Sequence, residues 1–258
     1  YDDHPVGKTT ICNTDEEPLQ EVKVSLLVNE YMEAPKTCAT FDSLEPGAEH
    51  EVELLGLFVD RVLEITEGKK VVAEITVEYK KDDQRYRDSH VQTLEMAFRN
   101  AMTWDDDRKA AAFVTARDPH VRAFAGNVGS IVKEAEYTIN PNLSKAIAYF
   151  EAIRLHGMNY QRDPSTPYEE MSANALMVDS LQFPRETLDY RAGDCDDLSI
   201  LFAALLESVF VPTAFITIPG HIYLALSLGI PPSEAHATFS RPEDLIFIDD
   251  QTWLPFEV

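Results

Sequence analysis

The change of hydrophobic period near residue 100 constrains this chain more than any other feature. Upstream of it, apolar and polar residues alternate in short runs, as in Gln20-Glu21-Val22-Lys23-Val24-Ser25-Leu26-Leu27-Val28, Glu51-Val52-Glu53-Leu54-Leu55 and Val71-Val72-Ala73-Glu74-Ile75-Thr76-Val77-Glu78-Tyr79. A period of two puts every second side chain on one face of a strand, so these runs read as half-buried strands. Turn signals separate them at Glu45-Pro46-Gly47, Glu67-Gly68-Lys69-Lys70 and Lys81-Asp82-Asp83-Gln84. The spacing predicts an antiparallel sandwich of about seven strands over residues 1–99. Downstream, the segments 107–114 and 143–154 carry apolar residues at helical spacing, and helices are expected to dominate up to about residue 208. From Pro212 strand-like runs return at 213–218, 221–226, 245–249 and 253–258. Helices followed by antiparallel strands make residues 100–258 an α+β domain, and the chain a multidomain one.

Composition narrows the partners. The 258 residues include 45 acidic and 22 basic side chains, a net charge of −23. Such a chain is repelled by phosphate surfaces, which argues against nucleic acid and anionic membranes as partners. No apolar run approaches the ~20 residues of a membrane span, and the opening YDDHPVGKTT is too polar for a signal peptide. Because the chain starts without Met, an upstream segment is expected. The acidic runs Asp105-Asp106-Asp107 and Asp249-Asp250 lack the ligand spacing of a calcium loop, so no metal is assigned, and no cofactor is expected. Three cysteines are too few for a disulfide scaffold; Cys12 and Cys38 could pair if neighbouring strands carry them, which leaves Cys195 unpaired either way.

Chemistry concentrates at Gly193-Asp194-Cys195-Asp196-Asp197. Asp194 is a good N-cap, so a helix is expected to start at Cys195 and run through Leu198, Leu201, Phe202, Leu205 and Leu206. A first-turn thiol sees the positive end of the helix dipole, which with an imidazolium nearby can bring its pKa into a range of roughly 3.5 to 7.5. Three flanking carboxylates oppose that shift. His221 follows 26 residues after Cys195. A helix of about 15 residues travels roughly 22 Å, and a strand over 213–218 returns about 20 Å before the Pro219-Gly220 turn, so thiol and imidazole are brought to the same end. A lone buried cysteine or a lone strand-start histidine is ordinarily packing, whereas their joint placement makes a nucleophile and its base an equal reading beside packing. A metal site built on Cys195 and His221 has two ligands where zinc usually needs three.

These residues carry a resemblance. GDCDD, the helix LSILFAALLESV, then VPTAFITIPGHIYLAL and TWLPFEV together resemble the transglutaminase-like superfamily of papain-type thiol enzymes found in bacteria and archaea. The match covers about residues 180–258, and the helices from about residue 105 are compatible with it. The resemblance implies a papain-like fold, Cys195 as nucleophile, His221 as general base and acid, and a carboxylate on the next strand that orients the imidazole. The family's ending places an aspartate after a tryptophan and three residues; here Trp253-Leu254-Pro255-Phe256 lead to Glu257. Its extra methylene requires a backbone set back by about 1 Å. Asp249 is the rival. A hairpin turning at Asp250-Gln251-Thr252 would leave Asp249 at the turn and return Glu257 toward His221. Phe210 stands where the family commonly has glycine, and the chain stops one residue past Glu257, so terminal strands of the usual sheet are expected to be missing from this segment.

The activity implied is attack on an amide, peptide or ester carbonyl through a thioester, with hydrolysis favoured over cross-linking and a protein or peptide as substrate. The Cys195 N–H would be one oxyanion donor; Gln182 and Tyr190 lie in the right region for a second. The rival reading is a non-catalytic binding or adhesion protein on an inactive scaffold of the same kind, for which Glu257 in the aspartate's place is the best support. The sandwich is expected to be immunoglobulin-like and to hold or position a protein partner. By resemblance such combinations are extracytoplasmic, while the cysteine count permits either compartment.

Overall fold

The computed structural model describes residues 4–132, 139–162 and 178–258, which fall into two units, Tyr1–Arg99 and Asn100–Val258. Alternation builds the first. Along β2 (Leu19–Val28) the side chains of Leu19, Val22, Val24, Leu26 and Val28 point inward and are buried. With β1 (Gly7–Cys12), β3 (Lys36–Leu44), β4 (Glu49–Leu54), β5 (Lys69–Lys81) and β6 (Gln84–Met96), β2 forms two sheets, ordered β3-β2-β5-β6 and β1-β4. One core cluster joins Ile11 and Val52 of the small sheet to Val22, Val24 and Leu44 of the large one, so the sheets pack face to face. Six strands are present among the described residues of this unit, against about seven expected. The connection from β4 to β5 breaks the alternation with Asp60, Arg61 and Glu64 and closes a single 3-10 turn, Asp60–Glu64. The β5–β6 hairpin turns at Asp82 and Asp83, both at positive φ (52° and 61°), as a two-residue turn compatible with strand twist requires.

Cys12 and Cys38 do not pair. Cys12 ends β1 and Cys38 lies in β3, strands of different sheets, and both thiols are free. The Cys38 Sγ instead accepts the Leu55 N–H at 3.4 Å.

In the second unit β7 (Ala101–Thr103) leads to a 3-10 helix, Asp107–Phe113, where an α-helix was expected over 107–114; Asp106 caps it by accepting the Arg108 N–H. Then come α1 (Pro119–Val132), α2 (Pro141–Leu155), β8 (Asn159–Tyr160), β9 (Val178–Ser180), α3 (Pro184–Tyr190), β10 (Ala192–Gly193) and α4 (Cys195–Glu207). Four strands close the chain as a sheet ordered β11-β12-β14-β13: β11 (Thr213–Ile218), β12 (His221–Ser227), β13 (Ile246–Ile248) and β14 (Gln251–Phe256), with α5 (Pro232–Thr238) between β12 and β13. From Ile200 to Leu206 helix α4 is apolar all round, as a helix enclosed by its neighbours must be. Every residue from Ile200 to Leu206 is at most 1% exposed. It packs on β12, α1, α2 and α3, and each fully buried leucine contributes about 1.5–3 kcal/mol.

The final hairpin turns one residue earlier than the sequence suggests. Ile248 pairs with Gln251, so Asp249 and Asp250 are the loop, at φ 50° and 58°. Aspartate tolerates the left-handed region better than most residues, and two such residues in a row give the turn that matches strand twist.

Candidate functional site

Local folding brings Cys195 and His221 to one end of the second unit. Helix α4 starts at Cys195, but the Asp194 side chain makes no cap bond, contrary to expectation. The cap runs in reverse: Asp197, at the third helical position, reaches back to the Asp194 N–H and also accepts the Gln182 N–H at 2.7 Å. This explains the motif's glycine. A Cβ on Gly193 would lie 2.6 Å from the Asp197 Cβ, so only glycine lets the Asp197 side chain fold back. Thirteen helical residues, the Pro212 exit, β11 and a turn then return the chain. In that turn Pro219 fixes φ, Gly220 takes φ 76°, and Ile218 pairs with His221.

The imidazole Nε2 lies 2.7 Å from Glu257 Oε1, and the ring stacks on Tyr223 at 5.7 Å between centroids. Glu257 follows directly on β14, whose Phe256 pairs with Leu224, so the carboxylate arrives beside the first residues of β12. Asp249 lies past the opposite end of that ladder, about 20 Å away at the rise of a strand. Occupation of Nε2 leaves Nδ1 as the ring nitrogen available to a thiol.

The thiol meets β12 one residue beyond the imidazole: Sγ accepts the Ile222 backbone N–H. Ser199, one helical turn after Cys195, donates its hydroxyl to the Ile222 carbonyl at 3.5 Å, so α4 holds both peptide groups of Ile222. Among the described residues no hydrogen bond joins Sγ to the imidazole. Burial pushes the Cys195 thiol above its ordinary value; the Ile222 N–H works against that shift and the Asp194 charge adds to it. The dipole-lowered thiol expected from the helix start is therefore not what this site holds at rest.

Three carboxylates of the motif are buried, with exposures of 5% for Asp194, 3% for Asp196 and 5% for Asp197. Their oxygens lie within 4.8 Å of one another, and they are the described residues whose arrangement could hold a cation. Burial, reinforced by a hydrogen bond to Asp194, holds Asp196 well above the carboxylate range, and burial raises Asp197 to about 7. At neutral pH the cluster thus carries less than its three formal charges. Asp179 on β9 joins this group and accepts the Trp104 Nε1–H at 2.7 Å.

Gln182 is held by its backbone, and its Oε1 is buried without a partner among the described residues; Tyr190 ends α3 and is 68% exposed. Neither bonds to the thiol among the described residues. Tyr160, which no sequence motif marks, is set by β8 opposite Gly193 in parallel register. Its phenol is raised by partial burial and then by the charges of Cys195 and Asp194. Two-residue strands such as β8 and β10 carry no period, so only the folded ladder shows Tyr160 beside the motif.

Comparison of the chain with family models, with curated proteins and with solved structures gives no match.

Proposed function

We propose that the second unit is a transglutaminase-like thiol enzyme that opens amide, peptide or ester bonds through Cys195, His221 and Glu257, and that hydrolysis prevails over cross-linking. The observation that carries this reading is the 2.7 Å contact between His221 Nε2 and Glu257 Oε1, made beside a helix-start thiol anchored on the next residue, Ile222. A carboxylate on one ring nitrogen fixes the tautomer that leaves the other nitrogen as a base. With a thiol raised by burial, the step is general-base catalysis rather than a resting ion pair. The Sγ proton passes to Nδ1 as the S–C bond forms, the imidazolium protonates the leaving amine or alkoxide, and water then cleaves the thioester. The Cys195 N–H, free of an intrahelical partner at the helix start, stabilises the oxyanion. Catalytic hydrogen bonds are often long before substrate arrives, so the missing Sγ–imidazole bond is compatible with this step. The first unit, read as an immunoglobulin-like sandwich, holds or positions a protein partner.

The rival is a non-catalytic scaffold, favoured by the raised thiol and the missing thiol–imidazole bond. Reaction with p-nitrophenyl acetate separates the two. The enzyme acquires an acetyl group on Cys195, detected by peptide mass mapping, and His221→Ala slows its formation about 100-fold or more. Equal acetylation of Cys195 in both proteins would establish the inert scaffold.

A further inference from the structure

The first unit is a sandwich with one side open. Its small sheet ends at β1, which pairs only with β4 among the described residues, while the large sheet continues past β5 to β6. The odd-numbered residues of β5 face the core. Val71 and Ala73 are buried, whereas Ile75, Val77 and Tyr79 are only half-covered. Their register partners on β6, which share that face, are His90, Asp88 and Tyr86. Between these residues and β1 runs a cleft of about 480 Å³. It has the place of a third strand in the small sheet.

The backbone of β1 is arranged to receive one. The Asn13 N–H donates to the Ala48 carbonyl, and the antiparallel alternation from that pair turns Ile11 and Thr9 toward β4. Lys8, Thr10 and Cys12 therefore aim their N–H and C=O groups away from β4, along the cleft. An unpaired edge of this kind is a template for strand addition. The cleft also has a sign. Asp15 and Asp88 line it, together with His90, and no lysine or arginine does. Lys81 pairs with Asp15 at 3.0 Å, and the Tyr79 hydroxyl donates to Asp88 Oδ2 at 3.1 Å, which among the described residues leaves the second Asp88 oxygen to an occupant.

We propose that this cleft binds an extended segment of a partner protein, added beside β1, whose inward-facing side chains, at every second residue, are apolar over Ile75 and Val77 and basic where they reach Asp88. A second copy of this chain is a poor occupant because each copy carries a net charge of −23. The inference deepens the partner-holding reading of the first unit and is independent of the thiol chemistry. Its test reads the β1 amides, so failure here and failure of acylation at Cys195 are distinguishable.

The probe is a peptide of about eight residues in which valine and lysine take turns at every second position and threonine fills the rest, compared on the full chain with its counterpart carrying glutamate for lysine. The lysine peptide is expected to slow hydrogen exchange at the Thr10 amide about tenfold or more and to shield Cys12 from alkylation, with binding that weakens as salt rises. Asp88→Lys is expected to reverse the preference between the two peptides, and Thr10→Pro, which removes an outward N–H, to abolish the protection of its neighbours. Reversal by Asp88→Lys keeps the test valid if the proline variant does not fold. Four results overturn the proposal: no β1 protection by millimolar peptide, protection along β6 instead, equal binding of both peptides, or β1 amides already protected without peptide. In the last case, protection that grows with protein concentration identifies a second copy, and protection independent of it identifies the chain itself as the occupant.

Discussion

At the scale of single residues, the site is governed by how charge is buried around α4. Asp197 caps the helix in reverse and holds the Gln182 N–H, and burial raises it to about 7. Its folded-state pKa thus exceeds that of the unfolded chain, so the folded protein keeps a proton that the unfolded one releases. The stability this contributes is complete below about pH 4 and is lost as pH rises through about 7. Asp197→Asn, which keeps the Oδ1 acceptor, is expected to flatten the fall of the urea midpoint between those limits; an unchanged slope would show that Asp197 does not carry the shift. Gly193→Ala meets the same residue from the other side. Its Cβ would sit 2.6 Å from that of Asp197, so a loss of about 1–3 kcal/mol in chemical denaturation is expected. Glu257 is 65% exposed at its side chain, and its bond to His221 is correspondingly screened. Glu257→Gln is expected to lower the acylation rate by about 10- to 100-fold, less than removal of a buried triad acid.

The elements carry a different kind of information. Helix α4 ends in a Schellman motif: Val211 N–H bonds to the Leu206 carbonyl, Phe210 N–H to that of Glu207, and Phe210 takes φ 63°. Glycine is favoured at that position, and Phe210 is 92% exposed, so its side chain recovers little of the backbone cost. Phe210→Gly is expected to raise stability by about 1 kcal/mol, read as a higher urea midpoint. The glycine missing from this position in the sequence was visible as a departure, but its conformational cost was not. Strands were legible where a period repeats, as in β2, β5, β11 and β12. They were illegible where a ladder has two or three residues, as in β7 to β10, because no period can be expressed over that length. The meeting of His221 with Glu257 rather than Asp249 followed from counting residues around a hairpin, and it survives the one-residue difference in the turn because Asp249 stays at the turn end of the hairpin under either count. The Ile222 anchor for the thiol was beyond reach: it is a backbone group, and no side chain announces it. Ser199 was not legible either, since a serine within an apolar helix marks a local partner without naming it.

At the scale of the whole molecule, the apolar clusters divide as the chain does. Those built on β2, β4 and β5 draw only on residues before Arg99, and those built on α4 only on residues after Asn100. The acidic excess divides almost evenly too, −11 over residues 1–99 and −12 over 100–258, so neither unit neutralises the other. Each unit thus has the interior it needs to fold, and every side chain assigned to the thiol chemistry lies in the second. It follows that residues 100–258 produced alone should acetylate Cys195 with p-nitrophenyl acetate within about threefold of the full chain's rate, a difference of under 1 kcal/mol. Calorimetry of the full chain should then resolve into two transitions, one matching that of the isolated second unit. A fragment that folds, by its near-ultraviolet circular dichroism, yet loses acylation would show that the first unit completes the site, and the division of labour between a partner-holding sandwich and a self-sufficient thiol domain would have to be abandoned.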